Sequence, residues 1–139
     1  MVVVVIIGLL LAVAIPSFNA VRKNARFSAF MNDVRMFKDS IEFFYLENGV
    51  LPNDSSTGTL DPQLDPYIDA AVFERTTPIG GSWDVEADDS GVTLAVGAVN
   101  HILSTQDLND IDAKFDDGNL ATGNLRQVAS GRYYYILED

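Results

Sequence analysis

The chain has no cysteine, one histidine and few basic residues. Without cysteine it can form no disulfide, no thiol nucleophile and no thiolate metal site. With His101 alone, one chain cannot build a zinc site from several histidines. Acidic residues outnumber basic ones by 20 to 9, so the formal charge is −11. Nucleic acid is therefore not an expected partner, because a phosphate backbone is bound by an excess of Lys and Arg.

Charge is distributed very unevenly along the 139 residues. Residues 1–21 contain no charged side chain, and residues 22–47 are nearly balanced, with five basic and four acidic residues. After Glu47 there are 16 acidic and 4 basic residues, a net charge of −12. We therefore divide the chain into an apolar segment (1–21), an amphipathic segment (22–48) and an acidic globular body (49–139), within the length of one ordinary domain.

The apolar segment is long enough to cross a bilayer, which takes about 20 residues as a helix. A cleaved secretory signal would need basic residues before it, and these are missing, although 12–14 resembles an A-x-A cleavage site. A strand or helix in the core of a small soluble domain is a second alternative, but 15 apolar residues around a whole helix exceed what such a core can cover. A membrane-inserted helix that later packs inside protein is favoured. Gly8 would permit close approach of a neighbour, and Pro16 predicts a kink.

An apolar stripe with helical spacing continues into the amphipathic segment. It recurs at intervals of 3, 4, 3, 4 and 3 residues and comprises Phe27, Phe30, Val34, Phe37, Ile41 and Phe44. Asn48 and Gly49 offer a left-handed stop, and Pro52 follows. The pattern predicts one helix from about Met1 to about Glu47, roughly 70 Å long at ~1.5 Å per residue.

The acidic body alternates turn residues with short strand-like and helical patterns. Alternation predicts strands at 83–86 and Val92–Val99, and a terminal strand at 132–137. Helical spacing predicts a helix over Thr105–Phe115, capped by Ser104 or Thr105. The fold class is therefore α+β, with the long N-terminal helix packed on a small antiparallel sheet.

Acidic clusters in the body raise the question of a metal ion. They lie at Asp84, Glu86, Asp88 and Asp89, and at Asp107, Asp110, Asp112, Asp116 and Asp117. Calcium takes six to eight oxygen ligands, but the EF-hand spacing fails because Ile111 stands where an acid belongs. The best calcium ligands by sequence are Asp116, Asp117 and Asn119, and a solvated acidic face is the alternative. No carboxylate spacing, phosphate loop or nucleophile elbow indicates an enzyme.

The segment VVVVIIGLLLAVAIPSFNAVRKNAR (2–26) resembles the N-terminus of type IV pilins and of the pseudopilins of type II secretion systems. Gly8 and Pro16 match the helix-breaking residues of that pattern, and 15–18 matches the residues around the proline. Members of the family also carry a basic leader, a glycine cleavage site, an N-methylated aromatic residue and a glutamate ahead of this stretch. None stands here, so the chain either lacks the first few mature residues, which we favour, or is a divergent member. Prepilin processing and methylation are implied by the resemblance alone.

The resemblance implies a pilin-like fold and a structural subunit that polymerises through its N-terminal helix. The subunit would lie in the inner-membrane bilayer and then enter an extracellular type IV pilus-like filament, helped by inner-membrane assembly machinery. A major pseudopilin in a periplasmic pseudopilus is the alternative within the family, and some major pseudopilins bind calcium in their C-terminal loops. A single-span membrane-anchored binding domain is the alternative from another class. The expected assembly residues are Val5, Gly8, Leu9, Val13, Pro16 and Phe18, with inter-subunit charges at Arg22, Lys23 and Arg26.

Overall fold

A single helix of 47 residues, α1 (Val2–Asn48), forms the N-terminal third of the chain. This computed structural model describes residues 1–12 and 18–139. Val13, Pro16 and the kink expected at Pro16 lie outside the described residues. Helix α1 ends where the sequence predicts, because Gly49 adopts a left-handed conformation (φ 69°) and its N–H donates to the carbonyl of Tyr45 at 2.8 Å.

The second half of α1 docks on a four-stranded sheet. All six residues of the predicted stripe are buried, with at most 4% of their surface exposed. Phe30 stacks on Trp83 with ring centroids 5.3 Å apart, and Phe37 meets the same indole edge-on at 4.9 Å. The helical stripe predicted from spacing is thereby confirmed, and it shares one hydrophobic core with the acidic body.

The sheet is antiparallel, with spatial order β1-β2-β4-β3. Its strands are β1 (Ser82–Asp89), β2 (Val92–Val99), β3 (Leu125–Ala129) and β4 (Arg132–Glu138). The α+β class with a small antiparallel sheet is confirmed, and so are the three predicted strands, two of which extend further than predicted. Strand β3 was not predicted, because Arg126 and Gln127 give its five residues little apolar alternation.

Short helices complete the body. A 3-10 turn (Pro62–Leu64) and helix α2 (Ala70–Phe73) lie between α1 and the sheet in sequence. Helix α3 (Thr105–Phe115) is the predicted one, and Ser104 and Asp107 form its capping box. Leu108 and Ile111 of α3 are buried in the core beneath it. Helix α3 therefore covers part of the core beside α1.

Polar residues share the sheet face that is turned away from α1 with a small apolar cluster. The Tyr134 hydroxyl donates to Asp84 Oδ2 at 2.6 Å, and Arg132 donates to Glu86 Oε2 at 2.5 Å. Asp84, Glu86 and Tyr134 are each less than 5% exposed. Two of the acids of the first sequence cluster are therefore satisfied inside the fold by a tyrosine and an arginine.

Candidate functional site: the exposed helix half and an acidic loop

The first half of α1 presents apolar side chains to solvent on every side. Its large side chains are between 51% and 72% exposed and comprise Val2, Val3, Val4, Val5, Ile6, Ile7, Leu9, Leu10 and Leu11. Among the described residues, none before Phe27 is buried. Soluble monomers rarely expose a contiguous apolar patch of more than a few hundred Å². The first half of α1 therefore presents an apolar surface that we expect another molecule to cover.

The predicted assembly residues lie on this uncovered surface wherever the structure describes them. Val5, Leu9 and Phe18 are 61%, 66% and 62% exposed. A β-carbon placed on Gly8 would meet no atom within 4 Å, so this chain itself leaves open space there. Val13 and Pro16 lie outside the described residues. None of the four described residues is buried by its own chain.

In the described part of the chain, 1–12 and 18–139, no helix combines the length and the apolar character needed to cross a membrane.

The three basic residues that follow the apolar segment differ in their surroundings. Lys23 Nζ lies 2.6 Å from Asp107 Oδ1 and 2.7 Å from Asp110 Oδ2, which ties α3 to α1. The hydrogen bond to Asp107, followed by that to Asp110, raises the pKa of Lys23. Arg22 lies over the ring of Phe18 at 5.4 Å, and within the described ranges neither Arg22 nor Arg26 has a carboxylate partner. Lys23 is therefore paired inside the subunit, and the two arginines supply the unpaired charge.

The end of α3 and the loop that follows it bring three carboxylates together. One oxygen from each of Asp112, Asp116 and Asp117 lies within 4.8 Å of the others. The structure thus brings the predicted ligands Asp116 and Asp117 together, but the third carboxylate is Asp112. The predicted ligand Asn119 lies beside this group, since its N–H donates to Asp117 Oδ1 at 2.8 Å, and its own Oδ1 accepts the backbone N–H of Ala121 at 3.2 Å. Asp112 stands four residues before Asp116 and so faces the same side at the end of α3, but its burial is visible only in the structure.

Two buried polar atoms near this loop lack a hydrogen-bond partner. Asp112 is fully buried, and although its Oδ1 accepts the N–H of Gly118 at 2.6 Å, its Oδ2 has no partner among the described residues. The same is true of the hydroxyl of Tyr133, which is also fully buried. Unsatisfied buried polar atoms are costly and rare. Their position beside three acids fits a bound cation.

The pKa values of these acids move in opposite directions. Burial raises the pKa of Asp112, and the charges of Asp116 and Asp117 raise it further. The hydroxyl of Thr122, which donates to Asp117 Oδ2 at 2.6 Å, lowers the pKa of Asp117. Burial also raises the pKa of Tyr133 far above its usual value, with a further contribution from Asp112 and Asp116. The ionised form of Asp112 is thus disfavoured by burial and by its acidic neighbours, and a bound cation would compensate its charge.

The remaining acids of the sequence clusters do not form a comparable group in the portions of the chain that are described. Asp107 and Asp110 pair with Lys23, while Asp84 and Glu86 lie in the Tyr134 and Arg132 network. The chain matches no protein-family model, no curated protein and no solved structure.

Proposed function

We propose that this protein is a structural subunit that polymerises through the first half of α1 into a type IV pilus-like filament. The observation that carries the proposal is the division of α1 into an amphipathic half that docks on the sheet and an apolar half that is exposed. The resemblance of 2–26 to type IV pilins supports it, as does the compatible arrangement of one long helix on a small antiparallel sheet.

The driving force for assembly is burial of the exposed half. Covering one Val, Leu or Ile side chain stabilises a structure by about 1.5–3 kcal/mol relative to water. Nine such side chains between Val2 and Leu11 are at least half exposed. In a filament these helices exchange lipid contacts for contacts with each other, and a subunit leaving the filament for water would lose them. Such filaments resist dissociation without any covalent link.

The charge-free run of 21 residues suits a subunit that is held in the inner membrane before assembly. From there it would pass to assembly machinery of the same membrane and then to an extracellular filament or a periplasmic pseudopilus. Arg22 and Arg26 follow the run directly, where they meet either anionic lipid headgroups or acidic residues of a neighbouring subunit. With 16 acidic residues after Glu47, another copy supplies many such partners.

The proposal is tested by electron microscopy and mass spectrometry of material sheared from producing cells. We expect filaments composed of this chain. Gly8→Glu should abolish them, since a charge would enter an apolar interior, while Thr57→Glu in an exposed loop should not. If the chain is found only in membranes and no filament is seen, the result would favour a single-span membrane-anchored binding domain. Normal filaments from Gly8→Glu would contradict the buried-helix mechanism.

We further propose that Asp112, Asp116 and Asp117 bind calcium. The donor set is all oxygen, as this ion prefers, and it includes an oxygen that is buried without a partner. A bound ion would supply positive charge that neutralises the three acids and would tie the end of α3 to the loop before β3. Asp116 already accepts the N–H groups of Asn124 and Leu125, at 2.6 and 2.8 Å, so it links the ion position to β3.

A further inference from the structure

A cleft opens at the C-terminal end of α1, where the chain leaves the helix and later returns to contact it. We call it the helix-end cleft, and it is lined by Phe44, Asn48, Val50, Gln63, Pro66 and Tyr67. Its volume is about 370 Å³, within the range of roughly 300–1,000 Å³ that is usual for small-molecule sites. The helix-end cleft shares no residue with the apolar segment or with the group of three carboxylates.

Two aromatic rings form adjoining walls of the helix-end cleft. The ring centroids of Phe44 and Tyr67 are 5.5 Å apart, and the ring planes meet at 84°. Phe44 is held in the core with 4% of its surface exposed. Tyr67 is held by its hydroxyl, which donates to Glu47 Oε2 at 2.6 Å and accepts from the side-chain amide of Asn48 at 3.2 Å. Packing and hydrogen bonds therefore fix both walls before any ligand arrives.

The chain around the helix-end cleft is strongly negative. Residues 39–74, which supply every residue of its lining, include eight acidic residues and no basic one. The C-terminus of α1 carries about half a negative elementary charge from the helix dipole, and the last turn has no basic residue to offset it. The carboxylate of Glu47, bound to the hydroxyl of Tyr67, adds a further negative charge. A positively charged ligand is therefore favoured over a neutral or an anionic one.

The aromatic walls decide which kind of cation fits. Calcium takes about six to eight oxygen ligands, whereas the helix-end cleft combines one carboxylate with two rings. The hydroxyl of Tyr67 and the amide of Asn48 are already engaged with protein groups, so a primary ammonium would bring three N–H donors to few acceptors. A quaternary ammonium group donates no hydrogen bond and is attracted to the negative faces of aromatic rings. It therefore suits the cleft best.

We propose that the helix-end cleft binds a quaternary ammonium group of the choline type. The cation lies against the rings of Phe44 and Tyr67, while Glu47 and the C-terminus of α1 supply the opposite charge. Binding needs residues of a single copy only, so the proposal is independent of whether the chain polymerises.

The test is a titration of the full chain in an uncharged detergent with choline as the probe. Its matched control is dimethylbutanol, the isostere of choline in which an uncharged quaternary carbon replaces the nitrogen. The NMR signals of the side-chain amide of Asn48 report occupancy. We expect choline to bind about fivefold more tightly than the isostere or better, which corresponds to about 1 kcal/mol of cation–π attraction. Butylammonium, a primary ammonium, should bind more weakly than choline.

Variants of the walls locate the site. Glu47→Gln keeps the shape of the side chain and removes its charge, so it should weaken choline binding. Glu74→Gln is the matched control, because Glu74 is exposed and lies outside the lining, and it should leave the affinity unchanged. Tyr67→Leu removes one ring and should weaken binding about fivefold or more. Tyr67→Phe keeps the ring and should retain most of the affinity.

Each outcome bears on the proposal. Saturable binding of choline that Glu47→Gln and Tyr67→Leu weaken, and that Glu74→Gln leaves intact, supports it. Equal affinities for choline and its isostere would overturn it, because recognition would then depend on shape alone. Tighter binding of butylammonium would overturn the choline type and assign the cleft to a primary amine. If Tyr67→Leu fails to fold, Glu47→Gln decides, since Glu47 is exposed. Asn48 signals that choline does not move would overturn the site itself.

Discussion

Replacement of Asp112 by asparagine is the sharpest test of the calcium site. Asp112→Asn keeps the size of the side chain and its ability to accept the N–H of Gly118, but it removes the buried charge. Without calcium, we expect the variant to melt at the same temperature as the wild type or higher, because burial and the neighbouring acids disfavour the ionised form of Asp112. With calcium, only the wild type should gain stability.

The size of the gain follows from binding linkage. A ligand present at about 100 times its dissociation constant stabilises the folded state by ~2.7 kcal/mol. For a domain of this size, 1 kcal/mol moves the melting temperature by roughly 3–5 °C. Calcium should therefore raise the melting temperature of the wild type by about 10 °C under those conditions, and a chelator should reverse it.

The assay is thermal unfolding of the full chain in detergent, followed by circular dichroism with calcium and with chelator. Asp65→Asn is the matched control, since Asp65 is an exposed acid outside the loop, and it should keep the whole calcium response. A wild-type melting temperature that is the same in both conditions would refute the site. A calcium response retained by Asp112→Asn would refute the role of its buried carboxylate.

Two further predictions concern the docking of α1. Phe37→Ala should lower the free energy of unfolding by about 3–5 kcal/mol, because this ring is fully buried. Phe43→Ala should lower it far less, because the Phe43 ring is mostly exposed. Thermal melts of the two variants measure the difference. The hydrogen bonds of Lys23 lower the pKa values of Asp107 and Asp110, so this contact stabilises the fold above the ordinary aspartate pKa of 3.8 and is lost as pH falls through the lowered values. The same contact raises the pKa of Lys23, so its contribution is present below pH 10.5 and is lost as pH rises through the raised value. Protection of α3 amides in hydrogen exchange should fall in both limits, and Lys23→Met should remove this pH dependence; unchanged protection would contradict the assignment.

Local patterns were enough to predict most elements of the fold. The apolar residues from Phe27 to Phe44 recur with the period of a helix, so the spacing alone was enough to predict that they are buried on one side of it. Strand β2 was predicted with its observed bounds because its eight residues are almost all apolar or β-branched. Strand β3 was missed since its residues acquire strand structure by pairing with β4, and that pairing is a tertiary contact.

Only part of the metal group could be predicted from sequence. Asp116 and Asp117 were selected as neighbours in an acidic loop. The amide oxygen of Asn119 accepts the N–H of Ala121, and the role of Asn119 as a calcium ligand stays a prediction. Asp112 belongs to a helix, and its importance depends on burial without a partner for Oδ2, which no residue pattern expresses. The unpaired hydroxyl of Tyr133 is likewise visible only once this residue is buried in the core near Asp112.

By itself, the sequence determined that this chain has a long helix with a charge-free, apolar half and an acidic α+β body. It did so because hydrophobic period and charge are local properties that need no knowledge of the fold. The tertiary structure decided which charges remain unpaired, which acids meet and which apolar residues stay exposed. Those properties depend on which surfaces the fold covers: packing one side of α1 against the sheet made Phe37 part of the core and left Phe43 and Leu46 facing outward.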